Sequence, residues 1–146
     1  MDRAALLKNL FMFSRLEADE IELVCGKMHE KVYATQTAIC QQGTQGSSMY
    51  VIVSGSCEVA KMSGGVETPL ASLGAGDFFG EISLFDFSPR SATVRAMEDT
   101  SVLEITKEDF DSIVLEHPVI SSKILYSMME EMAQRLRKKT EDAFLL

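Results

Sequence analysis

A run of short apolar segments separated by glycine turns occupies the middle of this 146-residue chain and most constrains its fold. Between residues 31 and 106, segments about one strand long carry apolar side chains that often alternate with polar ones, as in SMYVIV and ATVRAM. Turn signals such as GTQG at 43–46 and GAG at 74–76 separate them. Many short strands at this spacing predict an antiparallel sandwich or barrel that closes on itself.

Helical patterns flank this region on both sides. Apolar residues recur at three- and four-residue intervals before residue 30, where Ser14 and Glu17 have the spacing of a capping box. Helix is predicted again from residue 107, and Pro118 suits the first turn of a long last helix. We therefore predict one mainly β domain: N-terminal helices over 1–30, an antiparallel β-roll or jelly-roll barrel over 31–106, and C-terminal helices over 107–146.

The long C-terminal helix carries an apolar stripe that its own domain does not obviously need. Ile124, Met128, Met132 and Leu136 follow one another at intervals of four. A stripe of this width, with neighbours beside it, predicts that part of the helix meets a partner, so we expect a homodimer through this helix. The alternative is a helix that simply lies on its own domain.

Composition excludes several classes of function. The net charge of −8 argues against nucleic acid as a partner, and the basic stretch at 123–140 is better explained as a solvated helix end than as a DNA contact. No apolar run is long enough to span a membrane, and no signal peptide is recognisable. Three widely spaced cysteines and two isolated histidines predict neither disulfides nor a metal site, so we expect a cytoplasmic protein without a cofactor.

The stretch FGEISLFDFSPRSATV, residues 79–94, sets one glutamate and one arginine nine residues apart beside glycine, serine and proline. One interpretation is a loop with a surface ion pair, which would contribute little free energy. The other is a pocket for a small molecule that carries hydroxyl groups at one end and an anionic group at the other, with Glu81 and Arg90 as its polar contacts.

This stretch closely resembles the phosphate-binding cassette of cyclic nucleotide-binding domains. FGEISL and PRSATV stand four residues apart, and QQGTQG and YVIVSG lie upstream in the family's order. The family includes the sensor domains of catabolite-activator-type transcription factors and the regulatory subunits of cyclic-AMP-dependent kinase. The resemblance covers nearly the whole chain and implies a cyclic nucleotide as ligand, either cyclic AMP or cyclic GMP.

The resemblance also implies a role for each cassette residue. Arg90 would meet the cyclic phosphate with its planar fork of donors, and the amides of Ile82 and Ser83 would point at the same anion. Gly80 would permit close approach of the backbone, and Glu81 would accept the ribose 2′-hydroxyl, as an acid does in dinucleotide sites. The Ser91 hydroxyl or amide would add a phosphate contact.

Further ligand contacts are implied outside the cassette. In the family, two strands of the roll line the pocket near the sugar and base, and the far part of the last helix lies over the base. We expect the helix from Val119 onward to be the part that moves when ligand binds. The hinge would lie near His117 and Pro118. The corresponding residues here are Val59, Leu70, Arg135, Lys139 and Thr140.

These expectations combine into a non-enzymatic function: a regulatory module that senses a cyclic nucleotide and acts on an unidentified effector protein. A phosphodiesterase would need metal ligands or an activated nucleophile, which the histidines do not supply. Direct DNA binding is not expected because no reading element follows the last helix. Cyclic AMP is the expected ligand, although Ser91 leaves the choice between cyclic AMP and cyclic GMP open. The alternatives are a scaffold of the same fold without ligand, or the sensor fragment of a transcription regulator.

Overall fold

Helices form both ends of the chain and strands form its middle. The computed structural model describes the backbone of residues 2–86 and 88–145, and the side chains of these residues up to 138. The helices are α1 (Arg3–Lys8), α2 (Ala18–Gly26), α3 (Lys107–Glu116) and α4 (Pro118–Leu145), with 3₁₀ turns at Phe11–Phe13 and Glu81–Leu84. The described strands are β1 (His29–Tyr33), β2 (Ala38–Cys40), β3 (Ser48–Ser54), β4 (Ser56–Ser63), β5 (Val66–Gly74), β6 (Phe78–Phe79), β7 (Thr93–Ala96) and β8 (Thr100–Thr106).

The strands pair into two four-stranded antiparallel sheets, with the orders β1-β8-β3-β6 and β2-β7-β4-β5. Most consecutive strands thus alternate between the sheets, whereas β4 and β5 pair with each other as a hairpin within one sheet. The predicted antiparallel β-roll with flanking helices is confirmed. Strand β6 was not predicted, because a strand of two residues has no periodic pattern.

Strand β3 joins the two parts of the core. Met49 and Val51 point to the side covered by the helices, whereas Tyr50 and Ile52 point between the sheets. Both faces of this strand are therefore buried, which explains why MYVIV is an almost continuous apolar run rather than an alternating one.

The helices begin where side chains satisfy their first amides. The Asp2 side chain accepts from the Ala4 amide at 3.0 Å, and Thr106 Oγ1 accepts from the Asp109 amide at 3.1 Å. The predicted capping box of Ser14 and Glu17 is wrong, because Ser14 Oγ donates to the Phe11 carbonyl and α2 begins only after Glu17. None of the described helices combines the length and hydropathy that a membrane span requires.

Candidate functional site

The cassette lines a cavity of about 360 Å³, which lies between the second sheet and the 3₁₀ turn Glu81–Leu84. Phe79 of β6 and residues 80–83 form one wall, and residues 88–92 form another. Cys40, Val59 and Val94, from three strands of the second sheet, lie against it. The sequence stretch that separates Glu81 from Arg90 thus folds back so that both side chains line one cavity.

Gly80 makes the turn into this wall possible. Its φ of +82° is left-handed, a conformation that a side chain rarely adopts. The turn that follows is 3₁₀, and its first hydrogen bond runs from the Ser83 amide to the Gly80 carbonyl at 3.1 Å. The expectation that the Ser83 amide points at the anion is therefore corrected: that amide donates within the turn, whereas the Ile82 amide precedes the first such bond.

Arg90 is anchored by neutral oxygen atoms. Its Nη1 donates to Ser83 Oγ at 2.7 Å, and its Nη2 donates to the Ser48 carbonyl at 2.9 Å. Within the described residues, Arg90 forms no ion pair with a carboxylate. A partly buried guanidinium whose charge is not balanced by an ion pair among the described side chains is suited to an anion in the cavity.

Two glycines leave the space that the Arg90 side chain occupies. A Cβ atom on Gly46 would lie 2.2 Å from Arg90 Nε, and one on Gly80 would lie 2.7 Å from Arg90 Nη1. Gly46 was predicted only as part of a turn, and its role beside Arg90 was not. Its place in the GTQG turn was visible in the sequence, but the contact across 44 positions of chain was not.

Glu81 connects the cavity to the C-terminal helix. Arg135 Nη1 lies 3.4 Å from Glu81 Oε1, and its Nη2 lies 2.8 Å from Glu131 Oε1 on the same helix. A largely apolar groove of about 490 Å³ adjoins this contact, between Ile82 and Phe85 on one side and α4 on the other. The structure therefore places Arg135 beside Glu81 of the cassette, whereas its expected contact with the base stays a prediction.

The remaining predicted residues divide into three groups. Ser91 and Val59 line the cavity. Leu70 does not line it and is 57% exposed, because it is the extra residue of a bulge: Val59 pairs with Ala71 and Ala60 with Pro69. The side chains of Lys139 and Thr140 lie outside the described residues.

Burial perturbs three titratable groups near the cavity. It raises the pKa of the Cys40 thiol to about 11, so this wall residue is a neutral thiol at physiological pH. It also raises the pKa of Tyr50. Burial acts to raise the pKa of Glu104 as well, but hydrogen bonds from Lys31, Ser48 and Tyr50 outweigh it and the pKa lies below its ordinary value. In the described part of the chain, no group of three His, Cys, Asp or Glu side chains is placed to hold a metal ion.

Comparison with known proteins identifies relatives over nearly the whole chain. Residues 30–117 match the family model described as "Cyclic nucleotide-binding domain". The Cyclic AMP receptor protein of Thermus thermophilus is 31% identical over 96% of this chain and 63% of its own length. A cAMP-dependent protein kinase regulatory subunit of Debaryomyces hansenii is 34% identical over 74% of this chain but only 23% of its own length, so the chain corresponds to part of each relative.

A solved structure agrees with these relatives. The N-terminal domain of a transcriptional regulator from Streptomyces coelicolor superposes with a TM-score of 0.82 at 29% identity, and the match covers 97% of this chain and 96% of that one. The similarity thus extends beyond the cassette to the flanking helices.

Proposed function

Since the chain belongs to the cyclic nucleotide-binding domain family, we propose that it is a regulatory module that binds cyclic AMP and passes the signal on through α4. The observation that carries this proposal is Arg90, whose guanidinium lines a cavity without an ion-pair partner among the described residues. A cyclic phosphate supplies one negative charge and two exposed oxygens, which match the donors of a guanidinium fork.

The other contacts follow from the position of the phosphate. Glu81 lines the same cavity and would accept the ribose 2′-hydroxyl with the carboxylate oxygen that does not face Arg135. Ser91 and the Ile82 amide would add donors to the phosphate. The base would then extend toward the apolar groove beside α4, which shares Glu81, Ile82 and Asp86 with the cavity.

Cyclic AMP is proposed over cyclic GMP because the two curated relatives described above are named for cyclic AMP. Ser91 is compatible with both bases, so it does not decide between them. We also propose that the module acts by binding alone, with the signal read by a separate effector protein.

A ligand can shift α4 only if it contacts the helix differently in two positions. Glu81 offers such a contact, since its carboxylate can hold the ribose hydroxyl with one oxygen and Arg135 with the other. The base in the groove would offer a second. Ligand binding would therefore favour the position of α4 in which these contacts are made.

Calorimetric titration with cyclic AMP and cyclic GMP tests the proposal. We expect cyclic AMP to bind one site per chain, and Arg90→Leu to weaken it at least about tenfold because a charge-assisted contact is lost. Arg95→Leu is the matched control: Arg95 lies on β7 outside the cavity and donates to the Gln36 carbonyl at 3.2 Å. This variant should bind like the wild type.

Three results would contradict parts of the proposal. Tighter binding of cyclic GMP would reverse the base preference. Equal affinity of the Arg90→Leu protein would remove the phosphate site from the cassette. No binding of either nucleotide by the wild type would favour the scaffold alternative. The ribose contact is tested separately with 2′-deoxy cyclic AMP. The wild type should bind this analogue more weakly than cyclic AMP, whereas the Glu81→Ala protein should bind the two nucleotides with equal affinity.

A further inference from the structure

A buried carboxylate, which does not line the cassette cavity, lines a second cavity together with Arg90. Glu104 of β8 is only 6% exposed. Together with Arg90, Gly46, Ser48 and Tyr50 it lines this second cavity, of about 340 Å³. The proposed ligand contacts do not involve this carboxylate. An ionised carboxylate in such a place is costly unless its oxygens are well bonded, so its partners matter.

Glu104 has three such partners. Lys31 Nζ lies 2.7 Å from Glu104 Oε1, and the hydroxyl groups of Ser48 and Tyr50 donate hydrogen bonds to the carboxylate. The strand register places Tyr50 directly opposite Glu104 in the β3–β8 pair. The carboxylate therefore interacts with the side chains of two residues on β3.

The same two residues of β3 support the arginine. The Ser48 carbonyl accepts from Arg90 Nη2 at 2.9 Å. Arg90 Cζ lies 6.0 Å from the centre of the Tyr50 ring, at the limit of a cation–π contact. The Tyr50 ring also stacks on Phe79, with ring centres 5.1 Å apart, and Phe79 is a wall of the ligand cavity.

We propose that Glu104 is a positioning residue for Arg90: its carboxylate holds Tyr50 and Ser48 in place, and these hold the guanidinium toward the ligand cavity. Glu104 itself touches no ligand. A long arginine side chain loses considerable rotamer freedom when it is fixed, so a rigid support behind it lowers the cost of presenting it to an anion. The inference rests on the proposed function where it is tested by the affinity for cyclic AMP. It does not rest on it where it is tested by the order of the Arg90 side chain in the ligand-free protein.

The test compares Glu104→Ala and Glu104→Gln with the control Glu30→Ala. Glu30 is a partly exposed acid on the adjacent strand β1, where it bonds to Ser101 and not to the Arg90 support. Two properties are measured: the Nε–Hε resonance of Arg90 in the ligand-free protein, assigned with Arg90→Lys, and the calorimetric affinity for cyclic AMP.

In the Glu104→Ala protein we expect the Arg90 resonance to shift or broaden and the affinity to fall about tenfold, since two buried hydroxyl donors lose their acceptor. Glu104→Gln keeps an acceptor oxygen and should restore the affinity to within about threefold of wild type. Glu30→Ala should change neither property.

The proposal is overturned if folded Glu104→Ala protein keeps both the resonance and the affinity of wild type. If this variant does not fold, Tyr50→Phe decides, because it removes only the hydroxyl that donates to Glu104: an unchanged Arg90 resonance would also overturn the proposal. If the wild type binds no cyclic nucleotide, the proposed function fails, and the resonance alone still tests the positioning role.

Discussion

Arg90 reaches the cavity because the backbone beside it carries no side chain at two points. Gly80 has a left-handed φ and also leaves room for the Arg90 side chain. A substitution at Gly80 would therefore both strain the backbone and displace Arg90. Gly46 has no such backbone requirement. Its importance is steric alone, which makes it the cleaner position at which to test the placement of Arg90.

We predict that Gly46→Ala weakens cyclic AMP binding about tenfold while the melting temperature changes little. The new Cβ would lie 2.2 Å from Arg90 Nε, and the atoms it meets belong to the end of a flexible side chain, so Arg90 moves rather than the fold. Gly74→Ala is the control, because a Cβ there meets nothing within 4 Å. Calorimetry and thermal unfolding of both variants check this. If the Gly46→Ala protein bound cyclic AMP with unchanged affinity, binding would not depend on the position that the Arg90 side chain takes beside Gly46.

The sequence predicted the two residues of the site that stand in a local motif, but not those that support them. Glu81 and Arg90 are nine positions apart within one recognisable stretch, and the structure brings both to one cavity. Gly46 and Glu104 act through contacts formed only when distant strands pair. Glu104 in particular looks like one polar residue of an alternating strand, and nothing in SVLEI shows that it is buried against β3.

At the scale of elements, strands were easier to predict than their irregularities. The predicted segments of β1 to β5, β7 and β8 were found because alternation and glycine turns are local signals. The bulge that moves Leu70 away from the cavity was not predicted, although Pro69 beside it is a residue that bulges and edge strands accommodate. One inserted residue moves every side chain beyond it to the other face of the strand. A bulge that is not predicted therefore leads to the wrong residues being assigned to the pocket.

Helix α4 divides into two parts with different attachments. In the first part, Ile120, Ile124 and Met128 are buried, Lys123 Nζ lies 2.6 Å from Glu20 Oε1, and Arg15 Nη1 donates to Ser127 Oγ at 2.5 Å. The described part beyond Glu130 contacts the cassette through Arg135, and the apolar groove is lined by α4 residues on both sides of Glu130. These contacts favour movement of the later part, rather than of the whole helix about His117 and Pro118 as the sequence suggested.

We predict that cyclic AMP slows amide hydrogen exchange over residues 131–138 and leaves residues 120–124, which do not line the groove, unchanged. The first part is already held by buried side chains, whereas the later part would gain contacts to the base and to an ordered Glu81 carboxylate. Hydrogen-exchange mass spectrometry with overlapping peptides resolves the two parts. Arg135→Ala should reduce the slowing. Protection of residues 80–91 with no change over 131–138 would exclude this part of α4 from the response.

At the scale of the whole molecule, the faces of α4 decide whether a second copy can pair with it. Part of the apolar stripe that predicted a dimer is buried within the same chain, because Ile124 and Met128 belong to its own core. The part of this prediction that rests on those two residues is therefore wrong. Met132 remains 46% exposed, and the neighbouring Met129 is 72% exposed. Flexible thioether side chains on an exposed helix face are suited to packing against another surface.

We predict a symmetric homodimer in which the Met129 and Met132 face of one α4 packs against the same face of its copy. In a two-fold interface each substitution acts twice, so a single charge has a large effect. Met132→Glu should therefore convert the dimer to a monomer, whereas Gln134→Glu, on the opposite side of the helix, should not. Light scattering over a range of protein concentrations, with and without cyclic AMP, measures the mass.

Because the same face borders the groove proposed for the base, ligand binding and dimer formation should influence each other. Cyclic AMP should change the dissociation constant of the dimer, and dimer formation should change the apparent affinity for cyclic AMP. A monomeric wild type at every concentration, with or without ligand, would assign this face to the ligand alone.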